Sequence, residues 1–368
     1  MFNWAGTKSY FRGVIVTSGD IYHIAIMGQS LALGGTSTGI TTTQPYSNLG
    51  MSPRYDAKWL IPLVEGRNDV DGAETPASGL ANTLTNLEGW RCLISNNAGG
   101  GKLYTELKKG TIYYQLLLDQ ITNAIANMPG ADYQFYGASV IHGEADRTAG
   151  TPQATYEAYL AEWQSDLDTD AKAITGQARD VILCVCQMGT GSNAANINLA
   201  QYKAAKDNTN IYLVCPKYWA TYNDASHLEE YSYRKLGEYH AKTWRSIING
   251  NGWTPLMPTV VSRVGAVITA QFNVPTSPLV LDTTTIAAQT NYGFTFAQTG
   301  GNSVTISSVA IDGDNVVITL SDTPTGTAQK LRYAYGSTSG NLRDSDATES
   351  LYGNDLWNWC VHFEEVIA

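Results

Sequence analysis

From about residue 20 to residue 250, short apolar runs alternate with longer amphipathic stretches. The runs are Ile21–Met27, Trp90–Ser95, Tyr133–Ile141, Val181–Gln187 and Ile211–Cys215. They are nearly continuous in hydrophobicity, as strands covered on both faces are. Helical candidates lie between and after them, at Leu107–Asn127, Ala154–Ala173, Ala194–Lys206 and Leu228–Ile248. In the first of these Ile112, Leu116, Ile121 and Ile125 roughly follow helical spacing, and Met128-Pro129-Gly130 stops it. Alternating strands and helices imply an α/β fold built on a parallel sheet with right-handed crossovers.

Two stretches break this rhythm. Gly34 to Glu88 is rich in Gly, Thr, Ser, Asn and Pro and has little periodicity. It reads as a long functional loop, a wall of whatever site lies beside it. After Gly250-Asn251-Gly252 the runs shorten and alternate: Val264–Phe272, Gly293–Phe296, Val304–Ile311, Val316–Leu320 and Leu331–Tyr335. Turn signals such as Asp312-Gly313-Asp314-Asn315 separate them, the pattern of a small antiparallel β-sandwich. Near the end, Trp357, Trp359, Val361 and Phe363 recur at period two. The expected organisation is a lead-in at 1–20, an α/β domain at 21–252, a β-sandwich at 253–350, and a last strand within 351–368 that packs back on the first domain.

Composition removes several classes of function. At 368 residues the chain is long for one core and comfortable for two. A net charge of −10 argues against a nucleic-acid partner, because phosphate binding needs a basic surface. No apolar stretch approaches the ~20 residues of a membrane-spanning helix, so no membrane insertion is expected. Met1 to Asp20 lacks a basic start followed by a long apolar core, and no secretory signal is read there. The five cysteines include no Cys-x-x-Cys pair and no regular spacing, so they read as buried small hydrophobes.

In open α/β sheets, ligands bind beyond the carboxyl ends of the strands. Polar segments follow four of the five runs: Gly28-Gln29-Ser30, Asn96 to Gly101, His142-Gly143-Glu144-Ala145-Asp146, and Asp224-Ala225-Ser226-His227. A serine at such a turn exposes a hydroxyl, a histidine elsewhere on the edge can take its proton, and an aspartate three residues before that histidine can fix its tautomer. Each residue also has an ordinary role. Ser30 could be a helix N-cap, Asp224 and Ser226 could start another helix, and His142 could be a buried structural histidine. A further alternative takes His142, Glu144, Asp146 and His227 as metal ligands.

These segments resemble the sequence blocks of the SGNH (GDSL-like) hydrolase superfamily. The nearest branch is similar to sialate O-acetylesterases and plant-type carbohydrate esterases, whose blocks read roughly Gly-Gln-Ser-Asn, Gln-Gly-Glu-Ser and Asp-x-x-His. The resemblance covers about residues 20–250. It implies a three-layer α/β/α sheet and a serine esterase removing O-acetyl groups from a carbohydrate, with no cofactor and no metal. Carried over, Ser30 is the nucleophile, His227 the general base and Asp224 its orienting acid. The oxyanion would be held by Ser30, a glycine of the Gly-rich turn (Gly100 first, then Gly99 or Gly101) and His142. Gln29 and Glu144 would line the substrate side, Glu144 as a scaffold hydrogen-bonder rather than a second acid; the role of Asp146 is undecided. Two positions depart from the pattern: Leu31 replaces the block's Asn, and His142 replaces its Gln.

The fragments Gly28 to Gly34, Thr43 to Tyr46 and Gly340 to Asp344 also resemble esterase proteins carried by bacteriophages and prophages. That likeness implies a homo-oligomer or virion component acting on an O-acetylated glycan outside the host cell. The competing functions are a lipase or thioesterase of the same superfamily, and a non-catalytic glycan-binding tail protein on a relic esterase fold.

Overall fold

In the computed structural model the described residues are 19–52, 58–66, 72–189, 194–336 and 339–368. Nearly all of the expected lead-in lies outside them. The first half of the chain forms β1 (Asp20–Gly28), β2 (Leu49–Ser52), β3 (Trp59–Pro62), α1 (Pro76–Glu88), β4 (Cys92–Asn96), α2 (Ile112–Ala126) and β5 (Asp132–Ile141). Then come α3 (Glu144–Ala149), α4 (Gln153–Thr175), β6 (Ile182–Val185), α5 (Ala194–Asp207), β7 (Ile211–Leu213) and α6 (Glu230–Ile248). The sheet order is β3-β2-β4-β1-β5-β6-β7, parallel except for the β2–β3 pair. Helices α1 and α6 pack together, while α2, α4 and α5 form a separate row. The central strand β1 is buried from Ile24 to Met27, as its unbroken hydrophobicity requires.

The stretch from Gly34 to Glu88 is not the structureless wall its composition suggests. It contains β2, β3 and α1. Helix α1 escapes a periodicity search because Pro76 through Leu84 are all buried, small and polar residues included. It is defined at its ends instead. The Thr75 side chain caps the Ala77 N–H, Pro76 occupies the first turn, and Gly89 closes it in the left-handed region. Its small residues permit close approach to α6. A Cβ on Gly79 would stand 2.0 Å from the Arg234 carbonyl oxygen, and one on Gly237 would stand 2.1 Å from that of Pro76.

The later residues form β8 (Met257–Val264), β9 (Val267–Asn273), β10 (Val280–Leu281), β11 (Phe294–Thr299), β12 (Ile306–Asp312), β13 (Asn315–Leu320), β14 (Thr327–Tyr333), β15 (Leu342–Arg343) and β16 (Phe363–Val366). A four-stranded sheet, β12-β13-β9-β8, and a three-stranded one, β11-β14-β16, are both antiparallel. Ile268, Ala270 and Phe272 of β9 and Val316, Ile318 and Leu320 of β13 supply the buried alternate positions.

The expected terminal strand is shorter than its pattern. Phe363–Val366 pairs with β14, and Trp359 makes no more than an isolated bridge to Arg343. Residues 358 to 363 are buried without alternation because they run through the seam between the two parts. On one side, Gln187 exchanges two 2.9 Å hydrogen bonds with the backbone of His362, and the Tyr218 hydroxyl donates to the Cys360 carbonyl.

Candidate active site

Strand β1 ends at Gly28, whose φ of +132° and close approach both require glycine. A Cβ there would lie 2.1 Å from the Ile141 carbonyl oxygen at the end of β5. Gln29 then starts a short 3₁₀ turn, Ser30–Leu33, which Gly34 ends. Ser30 is therefore the first residue inside the turn, not its cap. Its Oγ lies 2.8 Å from His227 Nε2, 197 residues away in sequence.

His227 belongs to the loop between β7 and α6. Its Nδ1 lies 2.8 Å from Asp224 Oδ2. A carboxylate only accepts, so Nδ1 carries the proton and Nε2 is left to accept from the Ser30 hydroxyl. The other Asp224 oxygen accepts from the backbone N–H groups of Ser226 and His227 at 2.7 Å each. The His227 N–H, then its ring, then the Ser226 N–H hold the Asp224 carboxyl down to about 2. Helix α6 begins only at Glu230, with Glu229 as its cap, so Asp224 and Ser226 do not start it.

The nucleophile turn and the histidine loop are tied to each other. The buried Tyr233 hydroxyl donates to the Gly35 carbonyl at 3.0 Å and accepts from the Leu228 N–H at 3.3 Å. Asn223 Nδ2 donates to the Thr36 carbonyl at 3.2 Å, and the Gly35 N–H donates to the Ser30 carbonyl at 2.9 Å. On the wall side, buried Glu74 accepts from the N–H groups of Ile40 and Thr41 and from the Thr41 hydroxyl. Burial, then the neighbouring Glu74 charge, push the Glu65 carboxyl up.

The remaining expected residues sit elsewhere in the network. Gly99 donates its N–H to the Gly28 carbonyl at 3.0 Å, which brings the Gly-rich turn beside the end of β1. Gly100 is at the exposed crest of that turn, and Gly101 follows it with φ +67°.

His142, expected as an oxyanion donor, is fully buried with both ring nitrogens engaged. Nε2 donates to the Lys102 carbonyl at 2.9 Å, and Nδ1 accepts from the Tyr156 hydroxyl at 2.7 Å. Burial pushes its pKa down, which favours this neutral form. No ring N–H remains for an oxyanion.

Glu144 and Gln29, expected on the substrate side, are buried as well. Glu144 pairs with the buried Lys217 ammonium at 2.8 Å. Burial opposes its charge, but Lys217 outweighs that and holds the carboxyl below its usual range. Gln29 Oε1 accepts from the Ala145 N–H at 3.0 Å, which fastens the nucleophile turn to α3. Asp146 accepts from the Tyr104 N–H and the Thr151 hydroxyl. The block from His142 to Asp146 is thus a clasp beneath the site.

Among the described residues no group of three or more His, Cys, Asp or Glu could hold a metal ion. Tyr233 and Lys217 carry no sequence signal, since each acts through a partner more than 70 residues away.

No protein-family model and no curated protein matches this chain. Solved structures do. A carbohydrate acetylesterase from Xanthomonas citri aligns at a TM-score of 0.62 and 15% identity, over 94% of this chain and 80% of that one. A protein from Arabidopsis thaliana aligns at 0.50 and 16%, over 61% of this chain and 98% of that one. NanS aligns at 0.50 and 14%, over 64% of this chain and 99% of that one. At these identities the likeness is one of fold. With the first structure it extends over both the parallel and the antiparallel sheets.

Proposed function

We propose that this protein is a serine ester hydrolase that removes O-acetyl groups from a carbohydrate. The observation that carries the reading is the continuous Ser30–His227–Asp224 hydrogen-bond chain at the carboxyl edge of the parallel sheet. A nucleophile, a base with its accepting nitrogen toward that nucleophile, and a group fixing the base's tautomer are what acyl transfer needs.

In the proposed reaction Ser30 Oγ attacks the ester carbonyl carbon while His227 Nε2 takes the hydroxyl proton. The tetrahedral intermediate collapses, and the same proton passes to the departing sugar oxygen. Water, deprotonated by His227, then attacks the acyl-enzyme and releases acetate and free Ser30. The backbone N–H groups of Ser30 and Gly100 are the proposed oxyanion donors, a role backbone amides fill without a metal or cofactor. The His227 and Asp224 side chains are 25% and 44% exposed, so the site is open to an acyl group carried on a bulky chain. The carbohydrate class is supported by the fold shared with a carbohydrate acetylesterase.

Acetate release tests the reading. The wild type should release acetate from O-acetylated polysaccharides and hydrolyse p-nitrophenyl acetate, and Ser30→Ala should do neither. Turnover of p-nitrophenyl butyrate or longer esters in preference to every acetylated glycan would shift the reading to a lipase.

A further inference from the structure

Two clefts flank one tryptophan at the seam between the α/β and β parts. The larger, about 430 Å³, runs along the free edge of β7. The smaller, about 300 Å³, lies at the end of α6. Trp253 lines both. Its indole Nε1 donates to the Leu213 carbonyl at 3.0 Å, which fixes the ring against the strand and leaves its surface, not its N–H, for a ligand. Around it, Thr209, Tyr212, Asn249 and Asn251 line the clefts with hydroxyls and amides. Cavities of this size at domain junctions, with an aromatic body and a few polar groups, are the usual form of a small-molecule site.

The charges of the lining narrow the ligand. Lys206 pairs with Glu365, Asp207 with Lys203, Lys242 with Asp346 and Arg245 with Glu88. Every charged side chain of the two clefts therefore has its partner within the protein. A charged ligand would have to compete with these pairs, whereas a neutral, hydroxyl-rich one leaves them in place. A pyranose offers what remains: an apolar C–H face for the indole and hydroxyls for the amides.

We infer that the Trp253 seam is a second, non-catalytic saccharide-binding groove that takes an uncharged stretch of glycan. The inference draws on the reading of the substrate as a carbohydrate.

The test uses the full chain carrying Ser30→Ala, so that no ester is consumed, titrated calorimetrically with neutral hexasaccharides of xylose, mannose, glucose and N-acetylglucosamine. A galacturonate hexamer is the charged control. At least one neutral chain should bind, and binding should weaken at least about tenfold in Thr209→Trp, which fills the larger cleft from an exposed position. Trp253→Ala should do the same; Thr209→Trp decides the matter if that variant fails to fold. Binding of no neutral chain, binding untouched by Thr209→Trp, or binding of galacturonate alone overturns the groove. With Ser30 intact, Thr209→Trp should hydrolyse p-nitrophenyl acetate like the wild type. If the wild type does not hydrolyse it, the esterase reading falls, and the titration still judges the groove.

Discussion

Asp224 accepts three hydrogen bonds from one short loop, and this makes it an anion under all working conditions. Its folded pKa is depressed, so its contribution is present above the ordinary carboxylate range and is lost only as pH falls through about 2. An acid limb in the activity profile at mildly acidic pH should therefore not come from Asp224. An NMR titration that finds its carboxyl carbon changing within the ordinary carboxylate range would contradict this. Loss of Ser30 or His227 to Ala should lower kcat on the order of 10⁴-fold or more, because each moves in both half-reactions. Asp224→Asn should cost less, since it orients and does not transfer. His142→Ala should behave differently from all three. It strands the Lys102 carbonyl and the Tyr156 hydroxyl in the interior, at about 2–4 kcal/mol of stability, while kcat on a small ester stays within about tenfold. A variant of unchanged stability with kcat down a hundredfold would return His142 to the oxyanion.

At the scale of elements, the site is held by ties between segments that are remote in sequence. Lys217, after β7, neutralises Glu144, at the start of α3. Replacing Lys217 by Met leaves a buried carboxylate without its cation and should cost about 3–5 kcal/mol in denaturant unfolding. The double change Lys217→Met with Glu144→Leu should recover most of that; a double variant as unstable as the single one would show that the pair does more than cancel charge. Gly79→Ala should separate α1 from α6 and cost about 1–3 kcal/mol, with activity following because α6 carries Tyr233. The strands β1, β4, β5, β6 and β7 and the helices α2, α4, α5 and α6 are legible in the chain because each buries a continuous run or one apolar stripe, though in α2 that stripe is Tyr114, Leu117, Ile121 and Ala124, while Ile112 and Ile125 are exposed. Helix α1 is not, because burial on every side erases the contrast that a period needs. The site divides along the same line. Ser30, Asp224 and His227 stand at predicted strand ends or in a local loop. His142, Gln29 and Glu144 turn inward to protein partners, which spacing does not reveal: it says which edge a residue reaches, not which way its side chain turns.

Over the whole molecule, the final residues join the two parts. Lys242 of α6 is 7% exposed and is met by the Leu356 carbonyl, Asn358 and Asp346, all from the far end of the chain. Trp359, Cys360, Val361 and Phe363 complete the same core cluster as β1 and β5. A chain ended after Gly252 would leave the Lys242 ammonium and the Gln187 amide without these partners. It should lose its near-UV circular dichroism and its cooperative unfolding, since the apolar surface that Trp359, Cys360, Val361 and Phe363 cover would be opened to water, a large share of a marginal stability. A truncated protein that unfolds cooperatively and hydrolyses p-nitrophenyl acetate would show that the first part stands alone.

The sequence by itself determined the alternation of strands and helices, the switch to short antiparallel strands, and the loop in which Asp224 reaches His227. These depend on contrasts and contacts within a few residues. Tertiary structure alone decided that Ser30 meets His227, that His142 turns inward, and that the last segment is buried on both faces. Those outcomes depend on which surfaces the folded chain brings together, and a pattern read along one dimension does not contain them.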